Sequence, residues 1–194
     1  MNVYDFDNTI YAGDSSVDLY FYCLRHAPQV LLALPKQALA GLRYLPQKHS
    51  PQAETAKTAF KQEVYSYFRR VPDLPTLVER FWDTHLDRIK PWYLSRQQAD
   101  DVVISASPEF LIGPACARLG IDCQLSSRVE AATGHYQGLN CHGEEKVRRF
   151  RARFGAAEID EFFSDSLSDT PLARLAKQAW LVKGDALTPW PEIK

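Results

Sequence analysis

Apolar and polar residues follow two different patterns along this chain. After about residue 91, short apolar runs alternate with stretches of helical spacing. The runs predict strands over residues 3–6, 102–104, 121–125, 159–163 and 179–182, and a small hairpin over residues 129–136. The stretches between them predict helices over residues 109–119, 144–154 and 170–177. Alternating strands and helices predict an α/β fold with a parallel sheet covered by helices.

Residues 14 to 90 have helical spacing throughout and few β-branched runs. They predict a helix that begins after Asp14 and further helices over residues 53–69 and 77–85. We therefore predict two domains. Residues 1–13 and 91–194 form a discontinuous α/β core, and residues 14–90 form a helical domain inserted after the first strand.

The composition excludes several classes of protein. The chain has 194 residues, 45% hydrophobic residues and a net charge of -1. This length suffices for a core with a small accessory domain, and the near-neutral charge argues against a nucleic-acid partner. The four cysteines form no Cys-x-x-Cys pair, which argues against a zinc cluster. We expect a cytoplasmic protein, because no leader precedes the first predicted strand.

One apolar run raises the question of a membrane. No apolar segment reaches the roughly 20 residues that a membrane-spanning helix needs, so we expect no transmembrane segment. The run over residues 30–34 is interrupted by Pro35. We favour a junction between two packed helices there, and a peripheral contact with a membrane surface is the alternative.

Residues with catalytic potential lie after or between the core strands. In chain order they are Asp5, Asp7, Ser105, Lys146, Asp165 and Asp169. Each type alone is common in solvated turns or on helix faces. Ligands of parallel sheets bind beyond the carboxyl ends of the strands, where we expect all four motifs that carry these residues to fall. We therefore expect them to share one site.

These residues suit the hydrolysis of a phosphate ester, which needs a nucleophile, charge neutralisation and a proton donor. Asp5 and Asp165 could share a magnesium ion through carboxylate oxygens. Ser105 could donate a hydrogen bond to a phosphoryl oxygen, and Lys146 could supply a fixed positive charge.

The order and spacing of these residues resemble the four motifs of the haloacid dehalogenase superfamily. The helical insert resembles the C1 cap of its subfamily I, branch B, which includes phosphoserine phosphatases and relatives of phosphatidylglycerophosphatase C. The resemblance implies a Rossmann-like core with a C1 cap. It also implies a magnesium-dependent phosphomonoesterase that forms an aspartyl-phosphate.

The resemblance further implies a role for each matching residue. Asp5 is the expected nucleophile, and Asp7 is the expected acid and base, whose main-chain carbonyl also binds the metal. The expected metal ligands are Asp5, Asp7 and Asp165, with Asp169 in support. The expected phosphate-binding residues are Thr9, Ser105, Ala106 and Lys146.

Three positions leave alternatives open, and a fourth departs from the family's pattern. Asp14 either contacts a substrate or caps the first helix of the insert. Arg69 either contacts a second phosphate group or lies on a solvated face, which we favour. Ser107 either lines the pocket or caps the next helix, which we favour. Ser168 stands where the family often has Asn.

The composition of the insert indicates which class of substrate to expect. Its 11 Lys and Arg exceed its eight Asp and Glu, and it is rich in aromatic residues. We expect a small or lipid-linked phosphate ester as the substrate. The alternatives to a phosphatase are a phosphotransferase to an acceptor other than water and a non-catalytic phosphate-binding protein.

Overall fold

The computed structural model describes residues 1–47 and 53–191. Within these residues six strands form one sheet in the order β3-β2-β1-β4-β5-β6. The strands are β1 (Val3–Tyr4), β2 (Val102–Pro108), β3 (Cys123–Ser127), β4 (Ile159–Ser164), β5 (Ala176–Lys183) and β6 (Ala186–Pro189). Strands β1 to β5 run parallel, and β6 is antiparallel to β5. The predicted α/β class with a largely parallel sheet is confirmed.

Helices connect strands β1 to β5. In the described residues the α-helices are α1 (Ser15–His26), α2 (Leu34–Tyr44), α3 (Ala53–Tyr65), α4 (Leu74–His85), α5 (Pro91–Leu94), α6 (Glu109–Leu119), α7 (Glu144–Phe154) and α8 (Thr170–Ala173). Short 3-10 helices cover Pro28–Ala33, Leu45–Gln47 and Ser66–Arg70.

Both faces of the central strands β1, β2 and β4 are buried. Tyr4 and Phe163 belong to a core cluster that includes buried residues of α6, while Val3 and Phe162 belong to a second cluster that includes buried residues of α7 and α8. Successive residues of a strand point to opposite faces, so these neighbours separate into the two clusters. The sheet therefore carries helices on each side, as expected for parallel strands.

Helices α1 to α4 lie between β1 and β2, as the helical spacing of this part of the chain predicts. The chain enters and leaves the insert at one place, because Tyr11 and Ile89 pair in an antiparallel bridge. Arg88 reinforces this place by pairing with Asp18 at 2.6 Å and by lying over the Tyr11 ring. The division at residues 13/14 and 90/91 stays a prediction, and residues 192–194 of the predicted core lie outside the described residues. We call residues 14–90 the insert.

Two predictions after residue 165 are wrong. The helix predicted over residues 170–177 ends at Ala173, and β5 begins at Ala176, three residues before the predicted strand. Its first residues join the sheet because Ala176 pairs with Ile159 of β4. Strand β6 was not predicted, although Gly184-Asp185 between β5 and β6 is a two-residue hairpin signal. The φ angle of Gly184 is +59°, a value that favours glycine.

Other predicted elements are present with smaller shifts. The helices over residues 109–119 and 144–154 have the predicted bounds. The helix predicted over residues 53–69 ends at Tyr65 and is followed by the 3-10 helix Ser66–Arg70. The run over residues 30–34 is the favoured junction, where a 3-10 helix meets α2. Among the described residues, none of the helices has the length and apolar character to cross a membrane. The cytoplasmic location stays a prediction.

Candidate active site

Two neighbouring strand ends bring Asp5 and Asp165 to one edge of the sheet. Asp5 follows β1 and Asp165 follows β4, and these strands are adjacent and parallel. The amide of Asp5 donates to the carbonyl oxygen of Phe163 at 2.9 Å. The amide of Asp165 donates to Thr9 Oγ1 at 3.0 Å. These hydrogen bonds fix both acids at the carboxyl edge, where ligands of parallel sheets bind.

A buried lysine joins two carboxylates at this edge. Lys146 lies in the first turn of α7 with 2% of its surface exposed, and its Nζ donates to Asp5 Oδ1 and Asp169 Oδ2, each at 2.7 Å. Ser164 Oγ donates to the same oxygen of Asp169 at 2.8 Å. The other oxygen, Asp169 Oδ1, is buried without a hydrogen-bond partner in the described residues. The Lys146 ammonium group therefore forms ion pairs with the carboxylates of both Asp5 and Asp169.

Burial and mutual repulsion raise the pKa values of the acids. Burial is the largest cause that raises the pKa of Asp5 to about 7, with Lys146 opposing it and Asp169 adding to it. Burial and then Asp169 also raise the pKa of Asp165. Burial lowers the pKa of Lys146, but Asp169 and Asp5 outweigh burial and raise it above its ordinary value. The edge thus carries more carboxylate charge than Lys146 neutralises.

Asp7 has a different environment, built from hydroxyls and an amide. Its Oδ1 accepts from the amide of Ser15 at 2.6 Å, and its Oδ2 accepts from Ser107 Oγ at 2.5 Å. Ser107 Oγ is also 3.1 Å from Ser16 Oγ, which is 3.2 Å from the hydroxyl of Tyr65. Burial raises the pKa of Asp7 to about 6, although the bonds from Ser107 and Ser15 lower it. The hydrogen bonds therefore hold Asp7 in one orientation, and its raised pKa makes it easier to protonate than an exposed aspartate.

A cleft of about 610 Å³ lies between this edge and the insert. The core contributes Asp5, Asp7, Asn8, Ala106, Ser107, Lys146, Asp165 and Ser166 to its lining. The insert contributes Asp14, Ser16, Val17, Tyr20, Phe21, Gln37, Lys57, Phe60, Lys61, Val64 and Tyr65. The lining thus combines charged groups on the core side with aromatic, aliphatic and lysine side chains on the insert side.

Two sets of polar contacts hold the insert against the core. Lys57 Nζ lies 3.0 Å from His142 Nε2. Arg69 donates through Nε to the carbonyl oxygen of Thr133 at 3.2 Å, and its NH2 group lies 2.8 Å from His135 Nε2. Arg69 does not line the cleft, so it ties the insert to the loop that carries Thr133 and His135. Its predicted specificity role stays a prediction.

Some of the predicted phosphate-binding residues line the cleft, and others are buried behind its lining. Ala106 lines the cleft, and the buried Ser105 accepts a hydrogen bond from the Ser107 amide at 3.0 Å. Thr9 is fully buried, and its hydroxyl oxygen accepts from the amide of Asp165. Thr9 therefore positions Asp165 from behind the cleft lining. Direct phosphate contacts of these residues stay predictions.

The structure decides between the alternatives for two other residues. Pro108 occupies the N-cap position of α6 without a side-chain cap, so the favoured interpretation of Ser107 as a cap is wrong. Ser107 lines the cleft instead, because its hydroxyl points to Asp7. Asp14 does cap α1, since its Oδ1 accepts from the amide of Val17 at 3.0 Å. Asp14 also lines the cleft.

The carboxylate edge fits a hard divalent cation. Both carboxylate oxygens of Asp7 accept hydrogen bonds, from Ser15 and Ser107. The carboxylates of Asp5 and Asp165 are therefore the ones at this edge that could bind a cation. In residues 1–47 and 53–191, no three or more His, Cys, Asp or Glu side chains group around one metal position. Mg²⁺ commonly takes one or two carboxylates and keeps several waters. Two carboxylates, excess negative charge and the unpartnered oxygen of Asp169 therefore suit magnesium.

Comparison with known sequences places this arrangement in a family. The sequence model of the haloacid dehalogenase-like hydrolases matches residues 3–174, which include the core strands β1 to β4 and every acid described above. The chain belongs to the haloacid dehalogenase-like hydrolase family. This membership confirms the resemblance to the superfamily, while the subfamily stays a prediction.

Individual relatives of this hydrolase match it only in part. Histidinol-phosphatase of Neisseria meningitidis serogroup C is 34% identical over 108 residues, which cover 47% of this chain and 48% of that protein. Protein CicA of Caulobacter vibrioides is 29% identical over 83 residues, which cover 40% of this chain and 37% of that protein. The chain therefore spans less than half the length of these curated relatives.

A solved structure supports the fold of this hydrolase. A protein with unknown function from Bordetella pertussis Tohama I superposes with a TM-score of 0.69 and 17% sequence identity. The superposition covers 92% of this chain and 87% of that one. The likeness therefore extends over the insert as well as the sheet.

Sequence reasoning missed several residues of the cleft. Ser16 and Tyr65 extend the chain of hydroxyls that begins at Ser107, and Lys57 and Lys61 add positive charge from α3. The i, i+4 spacing of the two lysines was the available signal, because it places both on one face of a helix. Ser168, in place of the usual Asn, has its hydroxyl 2.8 Å from that of Ser166.

Proposed function

We propose that this protein is a phosphomonoesterase that forms an aspartyl-phosphate on Asp5. The observation that carries the proposal is the contact of Asp5 with buried Lys146 at a cleft that Asp7 also lines. A carboxylate nucleophile, a fixed ammonium and a separately oriented carboxyl group are the parts that phosphoryl transfer to a side chain requires.

The first step transfers the phosphoryl group to the enzyme. A carboxylate oxygen of Asp5 attacks phosphorus, the new P–O bond forms, and the bond to the alcohol oxygen of the ester breaks. Asp7, held by Ser15 and Ser107, gives its proton to that leaving oxygen. The alcohol then leaves the cleft.

The second step returns Asp5 to its starting state. Asp7, now a carboxylate, takes a proton from a water molecule whose oxygen attacks phosphorus. The bond between phosphorus and Asp5 breaks, and inorganic phosphate leaves. Lys146 remains between Asp5 and Asp169 throughout and stabilises the negative charge that develops on the phosphoryl oxygens.

A magnesium ion completes the charge balance of the proposed site. Asp5, Asp165 and the main-chain carbonyl of Asp7 would hold it, and it would lower the repulsion between an anionic phosphate and Asp5. The excess of carboxylate charge at this edge supports this assignment. Asp169 supports the site through Lys146 rather than by lining the cleft.

The insert side of the cleft favours a phosphate ester with an organic leaving group of some size. Tyr20, Phe60 and Val64 offer apolar surface, while Lys57 and Lys61 offer charge. The relative named histidinol-phosphatase supports a small organic alcohol as the leaving group. We therefore propose a small or amphiphilic organic phosphate as the substrate class, with the insert acting as a C1 cap.

Release of inorganic phosphate tests this proposal. The assay uses a panel of sugar phosphates, amino-alcohol phosphates, nucleotides and lipid phosphates, with magnesium or with a chelator, and with Asp5→Asn as the control. Magnesium-dependent release by the wild type and none by Asp5→Asn is the expected result. Loss of ester without release of phosphate would indicate transfer to another acceptor, and no turnover of any ester would indicate a binding role.

A further inference from the structure

Exposed leucines are concentrated on one part of the insert. Nine leucines are exposed in the described part of the chain, and six of them lie between residues 31 and 45. We call these six the leucine face, and they are Leu31, Leu32, Leu34, Leu39, Leu42 and Leu45. Leu32, Leu42 and Leu45 are the most exposed, at 65%, 68% and 64%. Apolar surface gathered in this way marks an interaction site more often than scattered single residues do.

Four residues of the leucine face lie on the outer side of α2 and its C-terminal end, and the other two lie in the preceding 3-10 helix. The inner side of α2 is already packed. At 3.6 residues per turn, the four leucines from 34 to 45 fall within an arc of roughly 140°. On the opposite side Gln37 Nε2 donates to the carbonyl oxygen of Val64 at 2.8 Å, and the Tyr44 ring stacks on Phe60 at 5.0 Å. Helix α3 therefore covers the inner side of α2, and nothing in the described residues buries the leucines.

Positive charges predominate around the leucine face. The groove between α2 and α3 beside it is lined by Lys36, Arg43 and one acid, Glu63. The sequence has no Asp or Glu from residue 19 to residue 53, but it has four Lys or Arg in the same stretch. Lys36 and Arg43 are seven residues apart on α2, so they flank the same edge of the leucine face, and both are exposed. An apolar helix face with cations at its edge is the pattern of helices that lie in the interface of an anionic bilayer.

The same charges disfavour a second copy of the chain as the occupant. A twofold interface brings identical patches together, so Lys36 and Arg43 of each copy would meet cations of the other. The stretch 19–53 has no acid to pair with them, and Glu63 of each copy is one acid against these two cations. Negative lipid headgroups would neutralise these cations while the leucines enter the acyl boundary.

Helix α2, which with its C-cap carries most of the leucine face, also borders the cleft. Gln37 lines the cleft and lies one helical turn after Leu34. The hydroxyl of Tyr20 donates to Gln37 Oε1 at 3.0 Å, which joins α1 to α2 at this rim. Phe21, 62% exposed, lines the cleft beside Tyr20. The leucine face and part of the cleft lining therefore belong to the same helix.

We propose that the leucine face, with Lys36 and Arg43, docks the protein on the surface of an anionic lipid bilayer. The leucines supply the apolar contact and the two cations supply attraction to anionic headgroups. The docked insert holds the mouth of the cleft next to the lipid surface. The proposal rests on exposure and charge and does not depend on the proposed phosphatase activity.

Sedimentation with vesicles tests the proposal on the full chain. The vesicles are phosphatidylcholine alone or phosphatidylcholine mixed with phosphatidylglycerol. We expect the wild type to pellet with the mixed vesicles and to remain in solution with the neutral ones, and we expect high salt to weaken the binding. Leu42→Ser/Leu45→Ser and Lys36→Glu/Arg43→Glu should each weaken it more than tenfold.

Matched variants away from the leucine face serve as controls. Leu94→Ser/Leu139→Ser removes two exposed leucines elsewhere, and Lys183→Glu reverses an exposed charge elsewhere. Both should pellet as the wild type does. Circular dichroism checks that every variant is folded. Wild type that stays in solution with mixed vesicles, or leucine-face variants that pellet normally, would overturn the proposal. A concentration-dependent dimer that Leu42→Ser/Leu45→Ser dissolves, without vesicle binding, would also overturn it.

Discussion

The hydroxyl of Ser107 donates a hydrogen bond to Asp7 Oδ2 at 2.5 Å. The two residues are separated by 100 positions in the sequence and meet because β1 and β2 are neighbours in the sheet. Ser107 therefore fixes the carboxyl group that exchanges protons in the proposed mechanism.

Removing this hydroxyl should slow the reaction. We expect Ser107→Ala to lower kcat/KM by about ten- to a hundredfold, because a hydrogen bond to a charged group contributes about 1.5–3 kcal/mol. Steady-state phosphate release measures the effect. Ser95→Ala is the control, since Ser95 donates only to the carbonyl oxygen of Trp92 at an exposed position. Equal rates for Ser107→Ala and wild type would contradict the positioning role.

Magnesium should stabilise the folded protein. A cation that binds only the folded state at a hundred times its Kd adds about 2.7 kcal/mol, which raises Tm by about 5 °C or more in a domain of this size. We expect Asp165→Asn to lose this increase, because it removes one of the two carboxylates at the edge. Asp100→Asn, at an exposed position beside the N-terminal amine, should keep it. A thermal-shift titration distinguishes these results without any assay of activity.

Gly134 should tolerate no side chain. Its φ angle is +77°, and a Cβ atom there would overlap the carbonyl oxygen of Tyr65, which belongs to the insert. Gly120→Ala is a matched control, because Gly120 has a φ of +69° and open space around it. We expect Gly120→Ala to cost about 1–2 kcal/mol of unfolding free energy and Gly134→Ala about 1–3 kcal/mol more.

Urea unfolding measures the difference between these two glycine variants. If both lose the same stability, the close approach of the loop to Tyr65 does not exist in solution. If Gly134→Ala loses more, this loop holds the insert against the core.

Asp101 should make stability depend on pH. It is buried, and burial raises its pKa to about 6, against the opposing bond from the amide of Gln98. Because the folded pKa exceeds the unfolded value of 3.8, the stability that this group adds is complete below pH 3.8 and is lost as pH rises through 6.

The variant Asp101→Asn removes this titration. Its free energy of unfolding, relative to wild type, should rise between pH 4 and pH 7 by at most about 3 kcal/mol. Denaturant unfolding of both proteins at the two pH values gives the difference. A difference that does not change with pH would contradict the burial of a titrating Asp101.

The sequence predicted that Asp5, Asp165 and Lys146 would lie together, and the structure brings them to one edge of the sheet. Asp5, Asp165 and Lys146 follow from motif order and from the rule that parallel strands gather their ends at one edge. The role of Ser107 did not follow, because a serine before a helix has a common local use as a cap. Only the pairing of β1 with β2, which local sequence does not encode, turns it toward Asp7.

The errors in the fold have a similar origin. Residues 170–177 have a helical pattern, but pairing of Ala176 with β4 outweighs it. The C-terminal end of helix α6 was predicted at the correct residue because a local signal marks it. That signal is Gly120, which adopts the left-handed conformation at the C-cap. Local signals therefore located helix ends, while sheet partners decided the strands and the contacts of Ser107.

The central claim is that Asp5 carries the phosphoryl group. An acid quench of wild type turning over an aryl phosphate, followed by mass spectrometry of its peptides, tests this claim directly. An aryl alcohol leaves without a proton from Asp7, so Asp7→Asn should accumulate more phosphoenzyme than wild type. The account predicts one added phosphoryl group on the peptide that contains Asp5, and none in Asp5→Asn. Turnover with no phosphoryl group on that peptide in wild type or Asp7→Asn, or a group on another residue, would contradict it.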